Sequence, residues 1–274
     1  MLTEVNGIKL YYEDMGAGPA LVFIHGLGEN ADSWENQITL FKKTFRTIAM
    51  DLRGHHRSEN GNEFITMALF ASDILALLDQ LGIQKAHFVG HSMGGLICQE
   101  IAAHNQERML SITLSDATSF YPEPMATTGL EERLKRIDTL PMTEVGAAIA
   151  RAACRPDIDA ETLAKVTAMF QLNRPVPYRQ ATISTLKADY RQYLSQIKVP
   201  TLILVGEKDA TTPLDYAQLL NKEIKGSKLQ IIPEAAHMTK IENPKAYNLA
   251  LAEFLAPYEP DAALPLIANL RGDE

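Results

Sequence analysis

A chain of 274 residues that is 46% hydrophobic has enough apolar material for a sizeable core, either as two small domains or as one larger domain with an insertion. Its formal charge of -8 is not offset by any basic tract, so the phosphate-neutralising stripe that nucleic-acid binding requires is missing. No run approaches the roughly 18 consecutive apolar residues of a membrane helix, and the start "MLTEVNGIKLYYED" lacks the basic and apolar regions of a signal peptide. The expectation is a cytoplasmic monomer or homodimer without membrane or nucleic-acid partners. Cys98 and Cys154 are too few for a disulfide framework and are assigned no role.

In chain order, residues 4–13 alternate as two short strands with Asn6-Gly7 as the hairpin turn. "ALVFIHG" and "FRTIAMD" are apolar on both faces, as central parallel strands are, and between them "DSWENQITLFKK" reads as a helix capped by Asp32 or Ser33. In "TMALFASDILALLDQLG", Met67, Phe70, Ile74, Leu77, Leu78 and Leu81 form one helical stripe that stops at Gly82. "KAHFVGHS", a helix over 93–104 and "MLSITLSD" repeat the alternation, which predicts an α/β fold with a mostly parallel sheet covered on both faces.

The rhythm breaks after Asp116. From Thr118 to Gln196 there are only helical patches ("GLEERLKRID", "MTEVGAAIARAAC", "DAETLAKVTAMF") punctuated by prolines. Strands return at "VPTLILVGE" and "SKLQIIP", with helices near 214–222 and at "PKAYNLALAEFLA". The pattern predicts eight strands, a core of residues 1–117 and 197–256, a helical cap of 118–196 inserted after the sixth strand, and a proline-bearing extension of 257–274, mobile or packed down.

Gly90-His91-Ser92-Met93-Gly94 fits G-x-S-x-G, with a strand before it and a helix after it. Glycines on either side let the backbone turn sharply enough to hold the Ser92 hydroxyl clear of the sheet, at a helix N-terminus that favours negative charge. A serine hydroxyl needs a base to take its proton. Among the seven histidines, His87 and His104 sit where packing or capping is expected and His91 is committed to the turn. His237, in the loop "EAAHMTKIENP" after the last strand, is the candidate base. Asp209 in "GEKDATTP" is the candidate acid; Asp116 and Glu207 are its competitors. Oxyanion donors are expected from the main-chain amides of Met93 and of Leu27, in a loop that His25 braces.

With these residues placed, the chain resembles the alpha/beta hydrolase superfamily from about Leu10 to Leu255, through "HGLGENADSW", "DLRGHHRS", "GHSMGG" and "GEKDATTP...AAHMTKIENP". The order Ser92, Asp209, His237 is that fold's nucleophile-acid-base order. One departure is His56, which stands where the D-x-R-G-x-G-x-S loop usually has glycine. The spacing from His25 to Trp34 is similar to that of small bacterial carboxylesterases and the 3-oxoadipate enol-lactonase group, whereas haloalkane dehalogenases and epoxide hydrolases place aspartate at the position of Ser92.

What the resemblance implies is an esterase or lactonase working through an acyl-enzyme on a small, largely apolar substrate. Trp34, Phe120, Met125, Ile137, Met142, Met169, Phe170 and Met238 are the candidate pocket residues. No metal is expected, since no paired histidine or cysteine spacing occurs, and no nucleotide cofactor, since no G-x-G-x-x-G follows a strand. Two alternatives share the fold: a carbon-carbon hydrolase of meta-cleavage products, which would need a cap arginine or polar cluster for a dienoate carboxylate, and a ligand receptor that no longer turns over.

Overall fold

A computed structural model describes residues 1–272. The sheet begins with a hairpin, β1 (Leu2–Val5) and β2 (Ile8–Met15), joined by Asn6 and Gly7 at φ 45° and 74°, the doubly left-handed turn that matches strand twist. β3 (Ala20–Ile24), β4 (Arg46–Met50), β5 (Ala86–His91), β6 (Met109–Ser115), β7 (Thr201–Gly206) and β8 (Lys228–Ile232) follow. The spatial order is β1-β2-β4-β3-β5-β6-β7-β8, with β2 antiparallel to β4 and all pairs from β4 to β8 parallel.

Helices cover both faces. α1 (Glu35–Phe41) is preceded by a 3-10 turn, Ala31–Trp34. α2 (Met67–Gln80) and α3 (Met93–His104) bury Phe70, Ile74, Leu77 and Leu96, Ile97, Ile101 in one apolar layer. Thr66 caps α2 by accepting from the Leu69 amide. At α1, by contrast, neither Asp32 nor Ser33 caps; Asp32 pairs with Arg57 instead.

Between β6 and β7 lies a helical insert: a π-helical turn (Met125–Gly129), α4 (Leu130–Thr139), α5 (Met142–Ala153), α6 (Ala160–Gln171), α7 (Pro175–Lys187) and a 3-10 stretch, Arg191–Gln196. Its only sheet-like pairing among the described residues is a single bridge, Phe120 to Asp189. α7 went unforeseen because Pro175 and Pro177 looked like breaks. They occupy its first turn, where main-chain donors have no helical partner to lose.

After β7 come α8 (Leu214–Glu223), the short α9 (Thr239–Glu242) and α10 (Pro244–Leu255). The final stretch forms α11 (Pro260–Arg271), which lays Ala263, Leu266 and Ile267 against the second apolar layer with α1 and α10; residues 273–274 lie outside the described region. No described helix is long and apolar enough to cross a membrane.

Candidate active site

Ser92 sits between β5 and α3 at φ 51° and ψ -113°, a left-handed backbone that L-residues adopt only when their surroundings enforce it. Enforcement comes from close packing: a β-carbon on Gly90 would strike the Gly94 carbonyl, and one on Gly94 would strike the Ile24 carbonyl. The Ser92 amide donates to Ser115 O at 2.8 Å, tying the turn to the end of β6.

The loop after β8 brings His237 over this turn, with Nε2 3.1 Å from Ser92 Oγ. On the other side of the ring, His237 Nδ1 lies 2.9 Å from Asp209 Oδ2. Asp209 is oriented by the Thr211 and Thr212 amides on Oδ1, at 2.8 and 3.0 Å, and by the Thr212 hydroxyl on Oδ2 at 2.8 Å. Burial opposes its charge, but His237 and the Thr212 donors hold the carboxyl below its ordinary value. Burial likewise opposes an imidazolium at His237, and the Asp209 carboxylate outweighs it, so His237 titrates above 6.5.

The competing acids are occupied elsewhere. Glu207 accepts from the Glu234 amide. Asp116 accepts from Ser115 Oγ and the Gly206 amide, both at 2.9 Å, and from Thr239 Oγ1. Fully buried and near the Asp209 charge, it is pushed up to about 7.

A second buried polar group stands behind His237. His91, wholly buried, has Nδ1 2.6 Å from Glu29 Oε1 and Nε2 2.7 Å from the main-chain carbonyl of His237. Lys240, also wholly buried, donates to Glu29 Oε2 at 2.7 Å and lies 4.7 Å from the centre of the Trp34 ring. The His237 amide donates to Ala153 O of α5 at 3.0 Å.

A cavity of about 480 Å³ opens over Ser92 and His237, walled by the insert. Leu27, Met125 and Phe170 line it; so do Arg133, one of the insert arginines that could pair with a substrate carboxylate, and Tyr121 and Tyr178, which the sequence did not single out. Burial pushes the Tyr121 phenol up to about 12. Among the described residues, no carboxylate lies within salt-bridge distance of Arg133. Met93, expected as an oxyanion donor, is the buried first residue of α3.

Six expected wall residues lie elsewhere, each for a packing reason. Trp34 is buried against Phe23, Tyr247 and His91. Ile137 and Met142 pack with Val145 and Tyr178 between insert helices. Met169 and Met238 join Ala150, Cys154 and Val166 in another cluster. The Phe120 ring lies beneath the Arg191 guanidinium, 4.0 Å from it. The departure at residue 56 also resolves: His56 takes φ 40°, which explains why glycine suits that position, and its ring rests against Asn30. His25 braces its loop as a neutral ring, pushed below its ordinary value by burial, accepting from the Leu52 amide at 2.9 Å.

A family model described as "alpha/beta hydrolase fold" matches residues 19–141 and 164–244. The chain belongs to that family. This alpha/beta hydrolase is 29% identical to 3-oxoadipate enol-lactonase 1 of Acinetobacter baylyi, over 93% of its length and 96% of the relative's. It superimposes with TM-score 0.88 on the enol-lactonase of Burkholderia xenovorans LB400, at 27% identity over 93% of this chain and 100% of that one. A thermophilic esterase from Thermogutta terrifontis gives 0.86 at 26% identity, over 93% and 96%.

Proposed function

We propose that the chain hydrolyses a carboxylic ester or lactone of a small, largely apolar acid through an acyl-enzyme on Ser92. It is a hydrolase acting on ester bonds, in keeping with its enol-lactonase and esterase relatives. The observation that carries the proposal is the unbroken line Ser92 Oγ, His237, Asp209, with contacts of 3.1 and 2.9 Å.

His237 Nε2 takes the Ser92 proton as Oγ attacks the carbonyl carbon, and Asp209 stabilises the resulting imidazolium. The amides of Leu27 and Met93 receive the oxyanion, helped by the N-terminus of α3. Collapse expels the alcohol oxygen, which takes the proton from His237. Water then attacks the acyl group with His237 again as base, releasing the acid and restoring Ser92. The insert serves as a cap whose inner wall bounds the substrate.

The test is steady-state hydrolysis of p-nitrophenyl esters from acetate to decanoate, with simple lactones alongside. Ser92→Ala should lose about 10^4-fold or more in turnover. No hydrolysis of any of them by the wild-type chain overturns the proposal and favours carbon-carbon hydrolysis or a receptor, which labelling by a serine-directed phosphonate then separates.

A further inference from the structure

His91 faces two acceptors. Its Nε2 is 2.7 Å from the carbonyl oxygen of His237, which has no proton to give, so that nitrogen must carry one. Its Nδ1 is 2.6 Å from Glu29 Oε1, while the other oxygen of the same carboxyl already receives the Lys240 ammonium. A neutral imidazole has one N–H for these two contacts, so a second proton must lie between Nδ1 and Oε1. Sharing it leaves neither group a full charge, which is what burial demands.

The groups that face this ring are fixed around it, the His237 imidazole among them at 5.0 Å between ring centres. Glu29 comes from the loop after β3, Lys240 from α9 and Trp34 from the turn before α1. Asp116, at the end of β6, is 3.7 Å from Nε2 with its own donors engaged. A β-carbon on Gly26 would collide with Glu29 Oε1 and crowd His91 Nδ1, so the loop is shaped around the contact. The arrangement does not touch Ser92. It ends on the peptide of the residue that serves as base.

We propose that Glu29 and Lys240 are positioning residues: Lys240 holds the Glu29 carboxyl, Glu29 shares a proton with His91 Nδ1 and so anchors the ring with its Nε2–H on the His237 carbonyl, and His91 thereby fixes the main chain of His237 so that its Nε2 meets the nucleophile. This rests on the acyl-enzyme proposal above for its kinetic readout, though not for its spectroscopic one.

The kinetic arm measures kcat and KM for ester hydrolysis from about pH 6 to 9, with turnover expressed per site titrated by a phosphonate. Glu29→Leu removes the acceptor and should lower kcat per active site about 10^2-fold, with KM changed less than about twofold, as expected for a misplaced catalytic group. In Glu29→Gln the new amide donates to Nδ1 and accepts from Lys240, so the ring keeps its Nε2–H and most of kcat should return. Lys240→Met should lower kcat in the same sense as Glu29→Leu. A leucine variant with wild-type kcat per titrated site, or a glutamine variant no better than leucine, overturns the proposal.

The second arm needs no destabilising variant. In Ser92→Ala with 15N-enriched histidine rings, His91 should keep a proton on Nε2 and show a second, strongly deshielded proton at Nδ1 over the whole pH range. A bare Nε2, or a ring that titrates near the ordinary histidine value, overturns the proposal whether or not Glu29→Leu folds. Failure of wild-type hydrolysis would sink the acyl-enzyme proposal alone, since the ring spectra do not depend on it.

Discussion

As the proposed base, His237 must be neutral to accept a proton and cationic while it holds one, and its pairing with Asp209 favours the second state. The sign for activity follows: a base whose value lies above 6.5 is protonated over more of the acid range, so kcat/KM should rise with pH through a midpoint above the ordinary histidine value. A pH-rate profile with its lower limb at or below that value would contradict the pairing. Asp116 acts in the opposite sense on stability. An unfolded aspartate titrates near 3.8 and the buried one at about 7, so between those values the folded state holds a proton that the unfolded state has released, and stability falls as pH rises across that window. In Asp116→Asn this slope should disappear, a difference of up to a few kcal/mol between about pH 4 and 7, checked by urea unfolding. Turnover should change by less than about tenfold, because Asp116 makes no hydrogen bond to the base.

Loop and helix are joined at this scale by Arg53 and Asp73. Two contacts of 2.7 and 2.8 Å tie the loop after β4 to α2, with both side chains 1% exposed. Asp73→Ala leaves a buried guanidinium without its partner and should cost about 3–5 kcal/mol in urea unfolding, whereas Arg53→Met with Asp73→Leu should recover much of that. The same loop shows how far the sequence could be read. Its motif residues, the serine turn and the order of acid and base were legible because each needs a fixed local geometry: Ser92 demands Gly90 and Gly94, and parallel strands buried on both faces declare themselves as apolar runs. α7 and α11 were not legible, because proline inside or at the start of a helix looks like a break until tertiary packing holds it; Pro265 lies within α11 itself. The cavity wall was the least legible. An apolar stripe such as Ile137 with Met142 has the same periodicity whether it faces a substrate or a neighbouring helix, and here it faces Val145 and Tyr178.

At the scale of the whole molecule the loops of the sheet carry Ser92, Asp209 and His237, and the insert supplies most of the cavity wall. Arg133 from α4 faces that cavity beside Tyr121 and Tyr178, with no carboxylate in reach among the described residues. Arg133→Leu should therefore raise KM about tenfold for an ester whose acyl chain ends in a carboxylate, while KM for its uncharged counterpart stays within about twofold; equal effects on both would show that the guanidinium does not meet the substrate. The bond between the His237 amide and Ala153 O carries a further consequence. The peptide of His237, the proposed base, is held through its carbonyl by His91 and through its amide by the last residue of α5, so under the proposed mechanism the insert also helps to align the catalyst. Replacing the insert by a short linker would give more than a wider mouth: it would leave the imidazole on a loop held from one side. An insert grafted from a relative would have to bring a carbonyl to the same spot before its new selectivity could be expressed as rate under the proposed mechanism.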